Sequence, residues 1–138
     1  MLTVLALALA APPDVPKEAP VTHIRIHVGD ETLTATLDDS VTARSFAALL
    51  PLELTLSDYA STEKVANLPE TLDTTGAPAA YAAKAGDLTY YAPWGNLAVF
   101  YKDFRSASGL VRLGAFDGSY DALLSADGVP IHIERMQE

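Results

Sequence analysis

The sequence predicts a mainly β fold, a closed barrel of about eight strands with one main α-helix and a short second helix. Most of the chain consists of short segments in which apolar and polar residues alternate, separated by turn residues. One segment has the apolar spacing of a longer helix. The chain has 138 residues, enough for one domain with its own core. Many short strands, frequent turns and one good helix are typical of a closed β structure.

The first two strands form a predicted hairpin. Residues 22–28 alternate between apolar side chains on one face and polar side chains on the other. Gly29 and Asp30 are a turn signal, and residues 31–37 alternate again. Two alternating segments joined by so short a turn predict an antiparallel pair with one buried face.

The main helix is predicted over residues 41–50. Residues 38–40 are Asp, Asp and Ser, whose side chains cap helix starts. Phe46, Leu49 and Leu50 follow at helical spacing, and Pro51 should end the helix.

The rest of the chain contains the remaining strands and two predicted loops. Residues 58–81 include Pro69, Gly76 and Pro78 and should be mostly loop. Residues 106–109 are also predicted to be a loop. The other predicted elements are strands over 52–57, 87–91, 97–101, 110–116 and 129–134, and one helical turn over 120–124.

Composition and charge exclude several classes of function. Eighteen acidic residues against nine basic ones give a formal net charge of -9, which argues against nucleic acid or anionic lipid as a partner. The chain has no cysteine, so disulfides, thiol nucleophiles and cysteine metal sites are excluded. We expect no cofactor.

The first twenty residues differ in composition from the rest. Residues 1–11 read MLTVLALALAA, an apolar run of signal-peptide length that contains a small-x-small pattern at residues 8–10. Residues 11–20 are proline-rich and predict a tether. The run is too short to span a bilayer, so we expect no transmembrane segment. We expect residues 1–20 to direct export to the periplasm or outside the cell, and residues 21–138 to form the domain. Because the run has no Lys or Arg before it, a cytoplasmic protein with an apolar tail is the alternative.

Three histidines are the usual candidates for acid–base chemistry or metal binding. His23, His27 and His132 share the outward phase of the first and last predicted strands. Their spacing does not require a metal, so we interpret them as solvated strand faces and predict no metal site. No nucleophile elbow, phosphate loop or metalloprotease motif is present. Glu63 and Lys64 are interpreted as a salt bridge within the predicted loop.

The most unusual segment is residues 86–104, which holds six of the eleven aromatic residues and the single tryptophan. Because these rings lie on two strands of opposite phase, they cannot all point inward. Some of them should line a concave surface, as ligand pockets require. The alternative is a core hairpin with Trp94 buried at its turn. The candidate ligand-binding residues are Tyr90, Tyr91, Trp94, Phe100 and Tyr101, with Arg105 as a polar anchor.

Four segments carry a resemblance to a known family. They read ATLDDSVTARSFAALLPLELTLSDY, EKVANLP, AGDLTYYAPWGNLAVFYKDF and SGLVRLGAF. In this order they resemble the bacterial and archaeal cyclophilin-like proteins over about residues 24–133. The resemblance implies a compact barrel related in fold to the cyclophilin prolyl isomerases. It implies no settled activity.

The similarity to true cyclophilins is partial. Thr42 and Phe46 match a Thr-x-x-x-Phe pattern on the helix. Where cyclophilins carry a late Phe-Gly pair before a short helix, this chain has Leu113-Gly114 before residues 120–124. The cyclophilin catalytic region should correspond to residues 58–88, which contain no arginine. We therefore assign no catalytic residue.

Three functions follow as hypotheses. The first is a barrel domain that binds a peptide or small molecule at an aromatic groove. The second is a divergent peptidyl-prolyl isomerase. The third is a homo-oligomeric structural protein whose aromatic surface is a subunit interface.

Overall fold

The computed structural model describes residues 21–137. Within them lie ten strands, one α-helix and one 3₁₀ helix. The strands are β1 Thr22–Val28, β2 Glu31–Leu37, β3 Leu52–Tyr59, β4 Glu63–Asn67, β5 Ala80–Ala82, β6 Asp87–Tyr91, β7 Asn96–Phe100, β8 Ser106–Ser108, β9 Leu110–Phe116 and β10 Val129–Arg135. The helices are α1 Val41–Ala47 and the 3₁₀ helix Asp121–Leu124.

Eight of these strands close into an antiparallel barrel. Their order is β1-β10-β3-β4-β7-β6-β9-β2, and β2 pairs with β1 to complete the circle. The prediction of a mainly β, closed barrel with one main helix is therefore confirmed. The two remaining strands, β5 and β8, form a separate antiparallel ribbon.

The barrel interior follows from strand alternation. On β1, Ile24, Ile26 and Val28 point inward, as the sequence pattern predicts. Each fully buried Ile or Leu contributes about 1.5–3 kcal/mol through removal of its apolar surface from water. The largest completely buried side chains include Tyr90, Phe46, Ile24, Leu37, Leu56, Leu88, Leu97, Leu113 and Ile133.

A second, smaller core lies on the outer face of the barrel. Along β7, Leu97 and Val99 belong to the interior core, whereas Ala98 and Phe100 belong to this second core. Its other buried members, Ala83 and Leu110, adjoin β5 and β9, and Tyr81 and Ala107 of the β5–β8 ribbon pack against it. The ribbon therefore covers one outer wall of the barrel.

The helix is three residues shorter than predicted. Ser40 caps it as expected, because the Ser40 hydroxyl accepts from the amide of Ala43 at 3.1 Å. The amides of Leu49 and Leu50 bond to carbonyls three residues back, so the chain tightens and leaves the α-helix after Ala47. The prediction that the helix continues to Leu50 is wrong.

Two predicted loops contain strands. Residues 58–81 hold β4 and β5, and residues 106–109 hold β8. β4 has no apolar alternation in its sequence because its inward positions carry Lys64 and Ala66. β5 and β8 are three residues each and pair only with one another. Such short strands lack a sequence pattern of their own.

The predicted salt bridge between Glu63 and Lys64 is wrong. Neighbours on a strand point to opposite faces, and Lys64 is directed into the barrel while Glu63 faces outward. The Lys64 ammonium donates to the carbonyl of Ala126 at 2.5 Å and lies 3.9 Å from the carboxylate of Asp58.

The predicted export signal and tether over residues 1–20 lie outside the described residues, so this stays a prediction. Within residues 21–137 no helix is long and apolar enough to cross a membrane.

Candidate functional site

The hairpin of β6 and β7 places Trp94 at its tip. The amides of Trp94 and Gly95 both donate to the carbonyl of Tyr91, at 3.2 and 2.9 Å. Gly95 has a φ of +65°, a left-handed conformation that glycine adopts without strain. This turn holds the indole of Trp94 outward, with 56% of the residue exposed. The alternative in which Trp94 is buried in a core hairpin is therefore wrong.

Two tyrosines hold the Trp94 indole in place. The ring of Tyr91 lies 5.2 Å from it at 83°, and the ring of Tyr59, from the end of β3, lies 5.5 Å away at 82°. Edge-to-face pairs of this kind contribute about 0.5–1.5 kcal/mol each beyond area burial. The indole is thus fixed by its neighbours while much of its surface faces solvent.

These rings border a cavity of about 290 Å³, which we call the aromatic cavity. Its floor is Phe100 and Leu110 of the second core, and β8 borders it through Ala107. The complete lining is Tyr59, Glu63, Tyr91, Trp94, Phe100, Phe104, Arg105, Ala107 and Leu110.

The aromatic cavity has one acidic and one basic group. Partial burial raises the pKa of Glu63. The guanidinium of Arg105 lies over the ring of Phe104, 4.8 Å from its centre, in cation–π geometry. The cavity is therefore an apolar space with two polar groups that can orient a ligand.

A second depression also has Trp94 in its lining. It has a volume of about 330 Å³ and includes residues 67–71, Trp94 and Gly95 in its lining. Trp94 thus forms a wall shared by two concave surfaces. A ligand longer than the aromatic cavity can continue across the indole.

The barrel topology agrees with the comparisons with known proteins. Residues 26–134 match the model of the cyclophilin-like family. The chain belongs to the cyclophilin-like family. The structure is also similar to the solution structure of a hypothetical protein from Archaeoglobus fulgidus, with a TM-score of 0.65 and 20% identity over 83% of this chain and 95% of that one. At this identity the likeness shows the fold alone. A search of the curated proteins gave no match.

This cyclophilin-like domain gathers four of the six predicted ligand-binding residues. Tyr91, Trp94, Phe100 and Arg105 line the aromatic cavity.

The other two predicted residues lie elsewhere. Tyr90 is fully buried in the barrel interior, where its hydroxyl accepts from the amide of Leu72 at 3.2 Å. The Tyr101 hydroxyl donates to the carboxylate of Asp58. This hydrogen bond is the main cause, and burial the second, of the rise in the pKa of Tyr101 to about 12.

Sequence reasoning missed several members of the site. Tyr59 carried a usable signal, since it is an aromatic residue in the outward phase of β3. Glu63 had no such signal because β4 was not predicted. Phe104, Ala107 and Leu110 reach the aromatic cavity through the fold of the β5–β8 ribbon.

The residues in which the sequence resembles true cyclophilins are structural in this cyclophilin-like chain. Thr42 and Phe46 are buried on α1. Gly114 allows β9 to approach β2, because a Cβ there would lie 2.2 Å from the carbonyl oxygen of Thr36. Arg105 is the arginine that reaches the aromatic cavity, and Arg112 lines a different one.

The histidines lie on the outer face of β1 and β10. These strands pair with His27 opposite His132, and the two rings are 5.7 Å apart. His27 hydrogen-bonds to Glu134 at 2.6 Å, and His23 lies 3.2 Å from the hydroxyl of Thr36. Across residues 21–137, no group of three or more histidines and carboxylates is arranged to hold a metal ion.

Proposed function

We propose that this cyclophilin-like domain is a binding domain whose ligand places an apolar group in the aromatic cavity. One observation carries the proposal: Trp94 is more than half exposed, yet it is held edge to face by Tyr59 and Tyr91. Covering the exposed part of an indole would contribute roughly 3 kcal/mol to binding. Because the ring is already fixed, little side-chain entropy is lost when a ligand covers it.

A peptide segment fits this geometry better than a compact molecule. The aromatic cavity is the size of one side chain and its immediate surroundings, at about 290 Å³. The second depression, which shares Trp94 as a wall, extends the concave surface. An extended peptide can place one side chain in the cavity and run over the indole, while Arg105 donates to a backbone carbonyl.

The single tryptophan gives a direct test. Fluorescence of Trp94 should shift when unlabelled peptides with a central proline or leucine are added to the full chain. Calorimetry with Trp94→Ala should show at least a tenfold loss of affinity, and Arg105→Gln a smaller loss. His23→Ala, on the far side of the barrel, is the matched control and should bind normally. Unchanged binding to Trp94→Ala would place the ligand elsewhere.

Prolyl isomerisation is the second candidate, and the position of Arg105 at the aromatic cavity favours it. The reaction needs a donor to the twisted amide and an apolar pocket for the proline ring. A protease-coupled assay on proline peptides should show turnover that is lost in the double variant Trp94→Ala, Arg105→Ala. Turnover that persists in this variant would argue against the placement of the site.

Self-association is the outcome that would redirect the proposal. If Trp94 and Tyr59 form a subunit interface, sedimentation should show an oligomer that Trp94→Ala dissociates. A monomer at low concentration supports a free binding surface.

A further inference from the structure

A larger cavity borders strand β5 of the β5–β8 ribbon. Its volume is about 470 Å³, and we call it the Arg112 cavity. Tyr81 of β5 borders it, whereas Ala107 of β8 borders the aromatic cavity, and Leu110 contributes to both. The two cavities therefore border different strands of the ribbon and share one buried wall residue.

Arg112 is held in the Arg112 cavity by two carboxylates. Its Nε lies 3.2 Å from Asp38, and its Nη1 lies 3.9 Å from Asp87. Asp87 is itself fixed, because it accepts from the hydroxyl of Tyr81 at 2.5 Å and from the amide of Lys84 at 2.9 Å. The guanidinium is thus positioned by charge attraction to two carboxylates, one of which, Asp87, is buried and held by hydrogen bonds.

Part of the Arg112 side chain is accessible, since 39% of it is exposed beside the cavity that it lines. Its Nε is buried, and in the part of the chain that the structure describes it has no hydrogen-bond partner, since Asp38 is close but poorly aligned. Burial opposes the charged form of Arg112, but the charges of Asp38 and Asp87, together with a hydrogen bond to Tyr81, outweigh it and raise the pKa of Arg112. A permanently charged, partly exposed guanidinium that lines an open cavity is suited to an acceptor on a ligand.

The surrounding charges select the kind of acceptor. Asp38 and Asp87 together outnumber the single charge of Arg112, so an anion entering beside them is repelled. The nearby ion pair of Arg44 with Asp39 adds no net charge. A neutral oxygen accepts from the guanidinium without this repulsion. Apolar residues such as Val41 and Pro78 line the remaining space and suit a small apolar substituent.

We propose that the Arg112 cavity is a second binding site, for a neutral carbonyl-bearing ligand such as an amide whose oxygen accepts from Arg112. This inference does not depend on the aromatic cavity being a binding site. The two sites border different strands of the ribbon and have different chemistry.

Three small probes of different charge test the proposal on the isotopically labelled full chain. N-acetylalanine methylamide is neutral, N-acetylalanine is an anion at neutral pH, and butylammonium is a cation without a carbonyl. The neutral amide should shift the backbone amide signals of Ala77, Tyr81 and Val111, with a dissociation constant in the millimolar range. N-acetylalanine should bind at least about fivefold more weakly. Equal or tighter binding of the anion or the cation, or no binding of the amide, would overturn the proposal.

Variants separate this site from the aromatic cavity. Arg112→Lys keeps the charge but loses the planar donor set, and it should weaken binding of the amide about tenfold. Asp38→Asn should remove most of the discrimination against N-acetylalanine, which keeps the test decisive if Arg112→Lys folds poorly. Trp94→Ala should leave the shifts that the amide produces at Ala77, Tyr81 and Val111 unchanged, because these residues line the Arg112 cavity. A loss in Trp94→Ala as large as in Arg112→Lys would contradict two independent sites.

Discussion

Two clusters of the same composition, Tyr–Asp–cation, occupy different parts of the molecule and are built in opposite ways. In the first, the Tyr101 hydroxyl donates to Asp58, and Lys64 lies 3.9 Å from that carboxylate. In the second, the Tyr81 hydroxyl donates to Asp87, and Arg112 lies 3.9 Å from that carboxylate. The sequence separations differ, but the chemical groups correspond.

The two clusters differ in which of the two ions is buried. The Lys64 side chain is 4% exposed and its Asp58 partner 29%, whereas the Asp87 side chain is 5% exposed and its Arg112 partner 39%. Each buried ion is held by hydrogen bonds: Lys64 donates to two carbonyls, and Asp87 accepts from a hydroxyl and an amide. A buried charge must be satisfied by the protein in this way. The exposed partners differ, because Asp58 also accepts from the Tyr101 hydroxyl and the Ser61 amide, whereas Arg112 lines an open cavity. The Lys64 cluster is therefore structural, and the Arg112 cluster faces a cavity.

Lys64→Met should have the largest effect on stability. The change leaves the carbonyls of Ala126 and Asp127 without their donor and removes the cation beside Asp58. Breaking a buried charged contact of this kind should lower the free energy of unfolding by about 3 kcal/mol, as measured by urea denaturation. Lys84→Met, at an exposed position, is the matched control and should change the free energy of unfolding by less than about 0.5 kcal/mol. A small effect of Lys64→Met would mean that the two clusters do not differ as described.

Asp87→Ala should have the next largest effect. It removes the acceptor from the Tyr81 hydroxyl and the Lys84 amide, and it leaves Arg112 with Asp38 as its nearby carboxylate. We expect a loss of about 2 kcal/mol in chemical denaturation. Asp121→Ala, at an exposed position, is the control. If the buried carboxylate is the structural member of its cluster, Asp87→Ala must cost more than Asp38→Ala.

The alternation of inward and outward side chains along a strand explains how much of the fold could be predicted. β1, β2, β6, β9 and β10 were predicted from their patterns with bounds within a residue. β4 was missed because the inward position that an apolar residue should occupy carries Lys64. The barrel can hold this lysine only because a loop distant in sequence supplies carbonyls, and no local pattern shows that.

The candidate site was predictable only in part for a related reason. Both faces of β6 are covered, one by the barrel interior and the other by the ribbon, so the sequence does not distinguish Tyr90 from Tyr91. The contribution of Tyr59 depends on the pairing of β4 with both β3 and β7, which brings the Tyr59 ring beside the Trp94 indole. The Arg112 cavity likewise needs α1, β9 and the ribbon together.

Alkaline pH should affect the Lys64 cluster moderately. The hydrogen bond to Asp58 raises the pKa of Tyr101 to about 12, so its stabilising effect is complete below about pH 10 and is lost as the pH rises toward about 12. Tyr101→Phe should lower stability by less than about 1 kcal/mol at neutral pH, because Asp58 is partly solvent-screened. The difference from the natural chain should shrink above about pH 10 in denaturation experiments. Tyr59→Phe is the control, and a pH-independent difference for Tyr101→Phe would contradict the assignment.

Glu63→Gln should change the free energy of unfolding least, and it should stabilise the protein rather than destabilise it. Glu63 adjoins Lys64 in sequence but points to the other face of β4, and burial raises its pKa. A raised pKa means that the ionised form of Glu63 disfavours folding. The protein is therefore most stable below the pKa that Glu63 has in the unfolded chain, and it loses stability as the pH rises through the pKa of the folded state. Glu63→Gln should therefore increase stability at pH 7 by less than about 0.5 kcal/mol and leave it unchanged near about pH 3. Urea denaturation at both pH values, with the exposed Glu53→Gln as control, measures this. Destabilisation at pH 7 would mean that a cation does pair with Glu63, and the contrast between the two faces of β4 would then fail.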